Sequence, residues 1–221
     1  MIQIEDVSLT IKNKQILQDI DVEFPENSVI GLVGRNGCGK TMLMKCICGF
    51  VRVSTGTITV NEKIVGSDVD FPEDMGVIIE TPAFIPYYSG FRNLKMLAEF
   101  RKKVSPKRIK AVMERVGLNP ELKLPVSKYS LGMRQRLGIA QAVMEKPSLL
   151  VLDEPFNGID VDGLEQMREI ILTIKKRGAT IILASHNQDD INQLCDYIYF
   201  MEKGRIVSSQ SHDEYTSAVP L

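Results

Sequence analysis

The sequence predicts an α/β fold, and three observations carry that prediction. Short apolar runs of strand length alternate with helix-compatible segments, a glycine-rich loop sits between one such strand and helix, and another apolar run ends in two acids. With 221 residues, the chain has room for one large core carrying a subsidiary lobe, so residues 1–221 are expected to form a single unit.

Residues 2–9 and 16–24 alternate apolar and polar positions around the polar Lys12-Asn13-Lys14, which predicts a hairpin and hence an antiparallel β subdomain at the start. Residues 29–33 (Val-Ile-Gly-Leu-Val) read as a short buried strand, and a helix is expected from about Gly39 through Ile47. Further strands are expected at 56–60, 76–79, 149–152, 180–184 and 196–201, with Gly204 turning into a last strand at 205–208. The stretch from about 90 to 142 is mostly helical, with breaks at Pro106, Gly117-Leu118-Asn119-Pro120 and Pro125. It predicts a helical lobe over about 82–142, inserted between core strands.

Between the strand at 29–33 and the helix lie Gly34-Arg35-Asn36-Gly37-Cys38-Gly39-Lys40-Thr41, which fit the phosphate-binding pattern G-x-x-x-x-G-K-[ST] in the strand-loop-helix setting the motif requires. The glycines let successive backbone N–H groups turn toward phosphate oxygens, and the helix directs its positive end at the same anion. Lys40 is expected to reach the β- and γ-phosphates, Thr41 to offer Mg²⁺ a hydroxyl oxygen, and Met42 to complete the nucleotide-contacting set. These residues predict a P-loop NTPase core that binds a nucleoside triphosphate together with Mg²⁺.

The second half of the chemistry follows 113 positions after Lys40, where Leu149-Leu150-Val151-Leu152 ends in Asp153-Glu154. Adjacent side chains at a strand end point in different directions. Asp153 is therefore expected to hold Mg²⁺, directly or through water, and Glu154 to act as general base toward the attacking water. The next apolar run, 180–184, leads to Ser185-His186, and the neutral His186 ring is expected to donate an N–H to the γ-phosphate.

Composition narrows the function classes. Lys plus Arg is 27 against 28 for Asp plus Glu, a net charge of −1, so no nucleic-acid partner is expected. The basic cluster from Arg101 to Lys110 reads as a solvated helix face. Cys38, Cys46, Cys48 and Cys195 show no metal-ligand spacing, and one lies inside the phosphate loop, which points to a reducing cytosol. The acid-bearing start, Met1-Ile2-Gln3-Ile4-Glu5-Asp6, has no signal pattern, and no apolar run is long enough to cross a membrane. Cys38, beside Lys40 at a helix N-terminus, is expected to be a reactive thiol.

The segment Tyr129-Ser130-Leu131-Gly132-Met133-Arg134-Gln135-Arg136 stands about one helix before the acid strand. It resembles the Leu-Ser-Gly-Gly-Gln signature of the ATP-binding subunits of ABC transporters. The resemblance runs from the first strand to about residue 210 and includes Asn157-Gly158-Ile159-Asp160 at that family's D-loop. It implies an ABC ATPase fold and a homodimer in which each ATP lies between the phosphate loop of one subunit and the signature helix of the other, with Ser130, Gly132 and Asp160 as the contributing residues. It also implies a separate integral membrane permease and a cytoplasmic, peripheral location on the inner face of the membrane.

Three departures qualify the likeness. Glu80 replaces the glutamine that normally joins core and lobe, and it is expected to approach the metal and the γ-phosphate as a carboxylate. Leu131 and Met133 replace the signature's first glycine and its glutamine. Counting back from the loop, Ile11 takes the place of the aromatic residue that stacks on adenine. Glu80-Thr81-Pro82-Ala83-Phe84, taken with the altered signature, resembles the subgroup serving bacitracin resistance and lantibiotic immunity, which implies export of a peptide antibiotic or similar amphipathic substrate. The aromatic segment from Phe84 to Phe91 is expected to contact the permease in part and to pack the lobe in part. Two alternatives stay open from sequence: an ABC ATPase acting on ribosomes or DNA, and a nucleotide-dependent sensing module with little hydrolysis.

Overall fold

The computed structural model describes residues 1–218. The chain opens with β1 (Ile2–Ile11), β2 (Lys14–Phe24) and β3 (Val29–Val33), followed by α1 (Lys40–Ile47), β4 (Thr55–Val60), β5 (Lys63–Ile64) and β6 (Met75–Ile78). Next come α2 (Gly90–Arg101), α3 (Pro106–Arg115), a single 3-10 turn (Val126–Lys128) and α4 (Leu131–Val143). The remainder is β7 (Leu149–Asp153), α5 (Val161–Lys175), β8 (Thr180–Ala184), α6 (Gln188–Leu194), β9 (Tyr197–Glu202), β10 (Arg205–Ser211) and α7 (His212–Ala218).

Two sheets form. One is antiparallel in the order β2-β1-β4-β5, and the other has six strands in the order β10-β9-β3-β8-β7-β6, parallel throughout except for β10. The β1–β2 hairpin turns on Lys12 and Asn13, both at positive φ (48° and 62°), which is the two-residue turn whose twist suits a hairpin. Lys14 is already in the strand.

β7 (LLVLD) and β8 (TIILA) are buried at every position, as continuous apolar runs in a parallel sheet should be. Their alternation divides two cores: Leu150, Leu152, Ile181 and Leu183 face the helices of the lobe and α5, whereas Leu149, Val151, Ile182 and Ala184 face α1 and the antiparallel sheet. The first core takes in Leu94, Met113 and Leu137 from α2, α3 and α4. The second encloses Leu43, Met44 and Ile47 of α1, which fixes the helix that carries the phosphate loop.

The lobe helices begin where serine can cap them. Ser89 accepts from Arg92 N, Ser105 from Arg108 N with Pro106 in the first turn, and Ser130 from Met133 N at 3.1 Å. Strand ends differ from expectation by one residue in β4, β6 and β7 and by three in β10, which runs to Ser211. β9 starts at Tyr197 because Asp196 is otherwise engaged: its Oδ2 accepts from Val29 N at 2.7 Å and its Oδ1 takes Lys175 Nζ at 2.5 Å. β5, two residues long, is too short to give a periodic signal and went unpredicted. Among the described residues no helix is long and apolar enough to cross a membrane.

Candidate nucleotide site

The loop after β3 and the ends of β7 and β8 come together at one edge of the six-stranded sheet. A cavity of about 340 Å³ lies there, lined by Ile16, Asn36, Gly37, Gly39, Lys40, Thr41, Met42, Asp153 and Glu154. Gly39 sits at φ 116°, a conformation open to glycine and strained for other residues, and it delivers the chain directly into α1. Lys40 is folded against its own loop, with Nζ donating to Gly34 O at 2.6 Å and to Arg35 O at 3.4 Å.

Thr41 and Asp153, distant in sequence, touch: Thr41 Oγ1 donates to Asp153 Oδ2 at 2.6 Å. A hydroxyl and a carboxylate side by side are hard oxygen donors of the kind Mg²⁺ takes together with phosphate oxygens and water. Among the described residues no cluster of three or more His, Cys, Asp or Glu could hold a metal. The donor set thus fits an ion that arrives with its phosphates and does not fit an all-protein cage.

Glu154 takes a different direction from its neighbour. Its backbone is left-handed (φ 49°), its N–H donates to Ala184 O at 2.9 Å, and Oε2 lies 2.7 Å from His186 Nδ1. A bulky acid held at positive φ is backbone strain at the point where chemistry is expected. The contact with Glu154 bears on the role expected of His186. A carboxylate can only accept, so the ring's proton belongs on Nδ1, and a neutral ring then presents Nε2 as an acceptor. His186 can donate to a phosphate from Nε2 only as the imidazolium.

These observations bring a triphosphate-binding loop, a metal-ready hydroxyl and carboxylate, and a base paired with histidine into one cavity. The family model for ABC transporters matches residues 17–157, about two thirds of the chain.

The chain belongs to the ABC transporter family.

It is an ATP-binding subunit of that family and an ATPase. It is 42% identical over 210 residues to an uncharacterized ABC transporter ATP-binding protein, YybJ, of Bacillus subtilis (strain 168), covering 95% of this chain and 96% of that one. It is 36% identical to the lantibiotic transport ATP-binding protein SrtF of Streptococcus pyogenes, covering 96% and 92%. It is 35% identical to the bacitracin transport ATP-binding protein BcrA of Enterococcus faecalis, covering 97% and 70%. Its fold is similar to that of a dimeric ATP-binding cassette in a post-hydrolysis state bound to ADP and Pi, with TM-score 0.86 and 17% identity over 96% of this chain and 99% of that one.

The ABC signature residues stand apart from the cavity, since Ser130, Gly132 and Asp160 are not on its wall. Ser130 caps α4. A Cβ on Gly132 would come within 2.6 Å of Gly158 O, so only glycine allows the start of α4 to close onto the D-loop. Asp160 precedes α5 and pairs with Arg136 of α4, joining D-loop and signature helix inside one chain. Gln135, which sequence reasoning passed over, donates Nε2 to Glu154 O at 3.3 Å and links the signature helix to the base. Its place within the signature segment was the available signal.

Three further residues expected at the site stand off the cavity wall. Ile11 is exposed at the hairpin end and absent from the cavity wall, and the aliphatic residue found there is Ile16. The shift arises because the hairpin's second strand is the one that lies against the loop, with Leu17 Cδ2 facing Gly39. Glu80 lies outside the cavity wall, two residues past β6, where Lys45 Nζ of α1 meets its Oε1 at 2.5 Å. The carboxylate that was expected at the metal is therefore answered by an ammonium one turn after Thr41. Cys38, expected to be reactive, is 7% exposed, with Sγ 3.9 Å from Lys40 Nζ.

The aromatic segment divides between packed and outward-facing rings. Phe84 and Phe91 pack onto the lobe core, whereas Tyr87 is 73% exposed and Tyr88 carries the Arg92 guanidinium 3.7 Å above its ring. Asn93 ties this loop down: its Oδ1 accepts from Ile85 N, and its Nδ2 reaches Ile85 O and Ser89 O.

Proposed function

We propose that this ABC ATPase closes with a second copy of itself around Mg-ATP and drives a separate membrane permease that exports a peptide antibiotic or a similar amphipathic substrate. The observation carrying the dimer is the separation within one chain. Phosphate loop, Thr41, Asp153 and Glu154 line one cavity, and Ser130, Gly132 and Asp160 lie off it. Each chain then holds two unlike halves, and two copies related by a twofold axis complete both sites. The α4 N-terminus, with the Ser130 hydroxyl, presents N–H groups that suit the γ-phosphate of ATP bound to the other copy.

Within that site, the loop amides and Lys40 hold the phosphates, and Thr41 with Asp153 would hold Mg²⁺. An ion held there would neutralise charge on the phosphates. Glu154 accepts the proton of the attacking water. His186 holds the Glu154 carboxylate from one side through Nδ1 and leaves Nε2 for the transferred phosphoryl group.

The identity to lantibiotic and bacitracin transport proteins supports the choice of substrate. Exposed Tyr87 and half-buried Tyr88, whose carbonyl accepts from Asn93, suit a helix of the permease. The chain would work at the cytoplasmic face of the membrane without crossing it. Tagging it in its native cell, solubilising membranes gently and identifying what copurifies tests the assignment. A polytopic membrane protein is the expected companion, and recovery with ribosomes or DNA in the soluble fraction would overturn it.

A further inference from the structure

A second cavity, of about 280 Å³, lies away from the nucleotide site among α3, the end of α4 and the end of α5. Its floor is apolar: Val112 and Val116 of α3, Val143 of α4, and Ile170 and Ile174 of α5. Four cations stand around it, Arg108, Arg115, Lys146 and Arg177, and no aspartate or glutamate lines it among the described residues.

The polar contacts of these cations leave their charge unanswered. Arg115 Nη2 donates to Thr173 Oγ1 at 2.8 Å and Arg108 Nε to Met144 O at 3.3 Å, both neutral acceptors. Burial is the largest influence lowering the Arg108 pKa, followed by the like charges of Arg177 and Arg115. Three other cations of the lobe do meet acids: Arg101 meets Glu145, Lys103 meets Asp74 and Lys110 meets Glu121. Gathering like charges around an apolar floor costs folding free energy unless an anion joins them.

We infer that this cavity binds a small amphipathic anion, a phosphate or carboxylate head held by Arg108, Arg115 and Arg177 with a short hydrocarbon body on the valine and isoleucine floor. The volume is at the lower end for small-molecule sites, which limits the body to a short chain or a single ring. The site touches none of the nucleotide-binding residues, so the inference stands independently of the transport reading.

Octyl phosphate below its micellar concentration is the probe, with inorganic phosphate and octan-1-ol supplying the head and the body alone. Isothermal titration is expected to give octyl phosphate at least tenfold tighter than either control, with affinity falling as salt rises. In Arg115→Gln/Arg177→Gln, whose substituted side chains lie at the exposed rim, binding should weaken tenfold or more while basal ATP turnover stays unchanged. Ligand-free, that variant should also melt no lower than the wild type, because it loses like-charge repulsion. Octan-1-ol binding as tightly as octyl phosphate, equal affinity in wild type and variant, or no binding at millimolar concentration would each overturn the proposal.

Discussion

Glu154 Oε2 and His186 Nδ1 stand 2.7 Å apart, one at the end of β7 and the other just past β8, on adjacent parallel strands. The pair is the point at which sheet register becomes chemistry, because Asp153 is opposite Ala184 and each strand then delivers its polar residues at the same edge. The two acids part there, Asp153 toward Thr41 and Glu154 toward His186, which separates metal holding from proton transfer.

Glu154→Gln keeps the side chain's size and its oxygen toward His186 and removes the base. Steady-state phosphate release should fall by about 10²- to 10⁴-fold, the range for loss of general-base catalysis. ATP binding, followed by fluorescent-nucleotide titration, should persist. Wild-type turnover in this variant would remove Glu154 from the role.

The His186 segment is held from below by a buried network. Arg168 of α5 donates Nε and Nη2 to Asp190 Oδ1 at 3.0 and 2.6 Å, and Ser185 Oγ donates to Asp190 Oδ2 at 2.8 Å, with Asp190 1% exposed. Removing one partner of such a pair strands the other charge. Arg168→Met should destabilise the fold by about 3–5 kcal/mol in denaturant unfolding. A loss below about 1 kcal/mol would show that the network contributes little net stability.

Burial pushes the thiols of Cys46, Cys48 and Cys195 up to about 12. Each keeps its proton in the folded chain at pH values where the unfolded chain has lost it. A raised folded pKa means stability that is present below the unfolded thiol's pKa and is lost as pH climbs toward the folded one. Unfolding free energy should therefore decline from about pH 9 upward, and the decline should be smaller in Cys46→Ala. In native protein at pH 8, iodoacetamide should leave all three unmodified by mass spectrometry; rapid labelling would contradict their burial.

The Lys45–Glu80 pair has the Glu80 side chain 66% exposed, so it is screened by solvent. Glu80→Gln should change unfolding free energy by less than about 1 kcal/mol. Any larger change in ATP turnover would then report a role in the catalytic cycle, and stability loss well above that figure would show the pair to be structural.

What was legible in the sequence was local chemistry. Residues 29–47 announce strand, loop and helix through apolar runs broken by glycine, and the acids closing 149–154 announce a strand end at a nucleotide site. Where a residue's role depends on what packs beside it, the sequence was silent. Ile16 reaches the cavity only because β2 lies against the loop, with Gln18 N bonded to Gly204 O. Lys45 finds Glu80 only once α1 packs against the six-stranded sheet, and Cys38 is buried beside Gly34, whose added Cβ would stand 2.7 Å from its sulfur.

The central claim, that two copies share each ATP site, is tested most directly by mixing two inactive variants. Lys40→Ala removes phosphate binding. Ser130→Asp keeps an N-cap for α4 but sets a negative charge against the γ-phosphate. Each alone should hydrolyse almost no ATP. Mixed in equal amounts, they should recover about a quarter of wild-type turnover, since half of the dimers pair unlike chains and each of those has one complete site of two. Turnover in the mixture no higher than the mean of the separate variants would contradict the shared site.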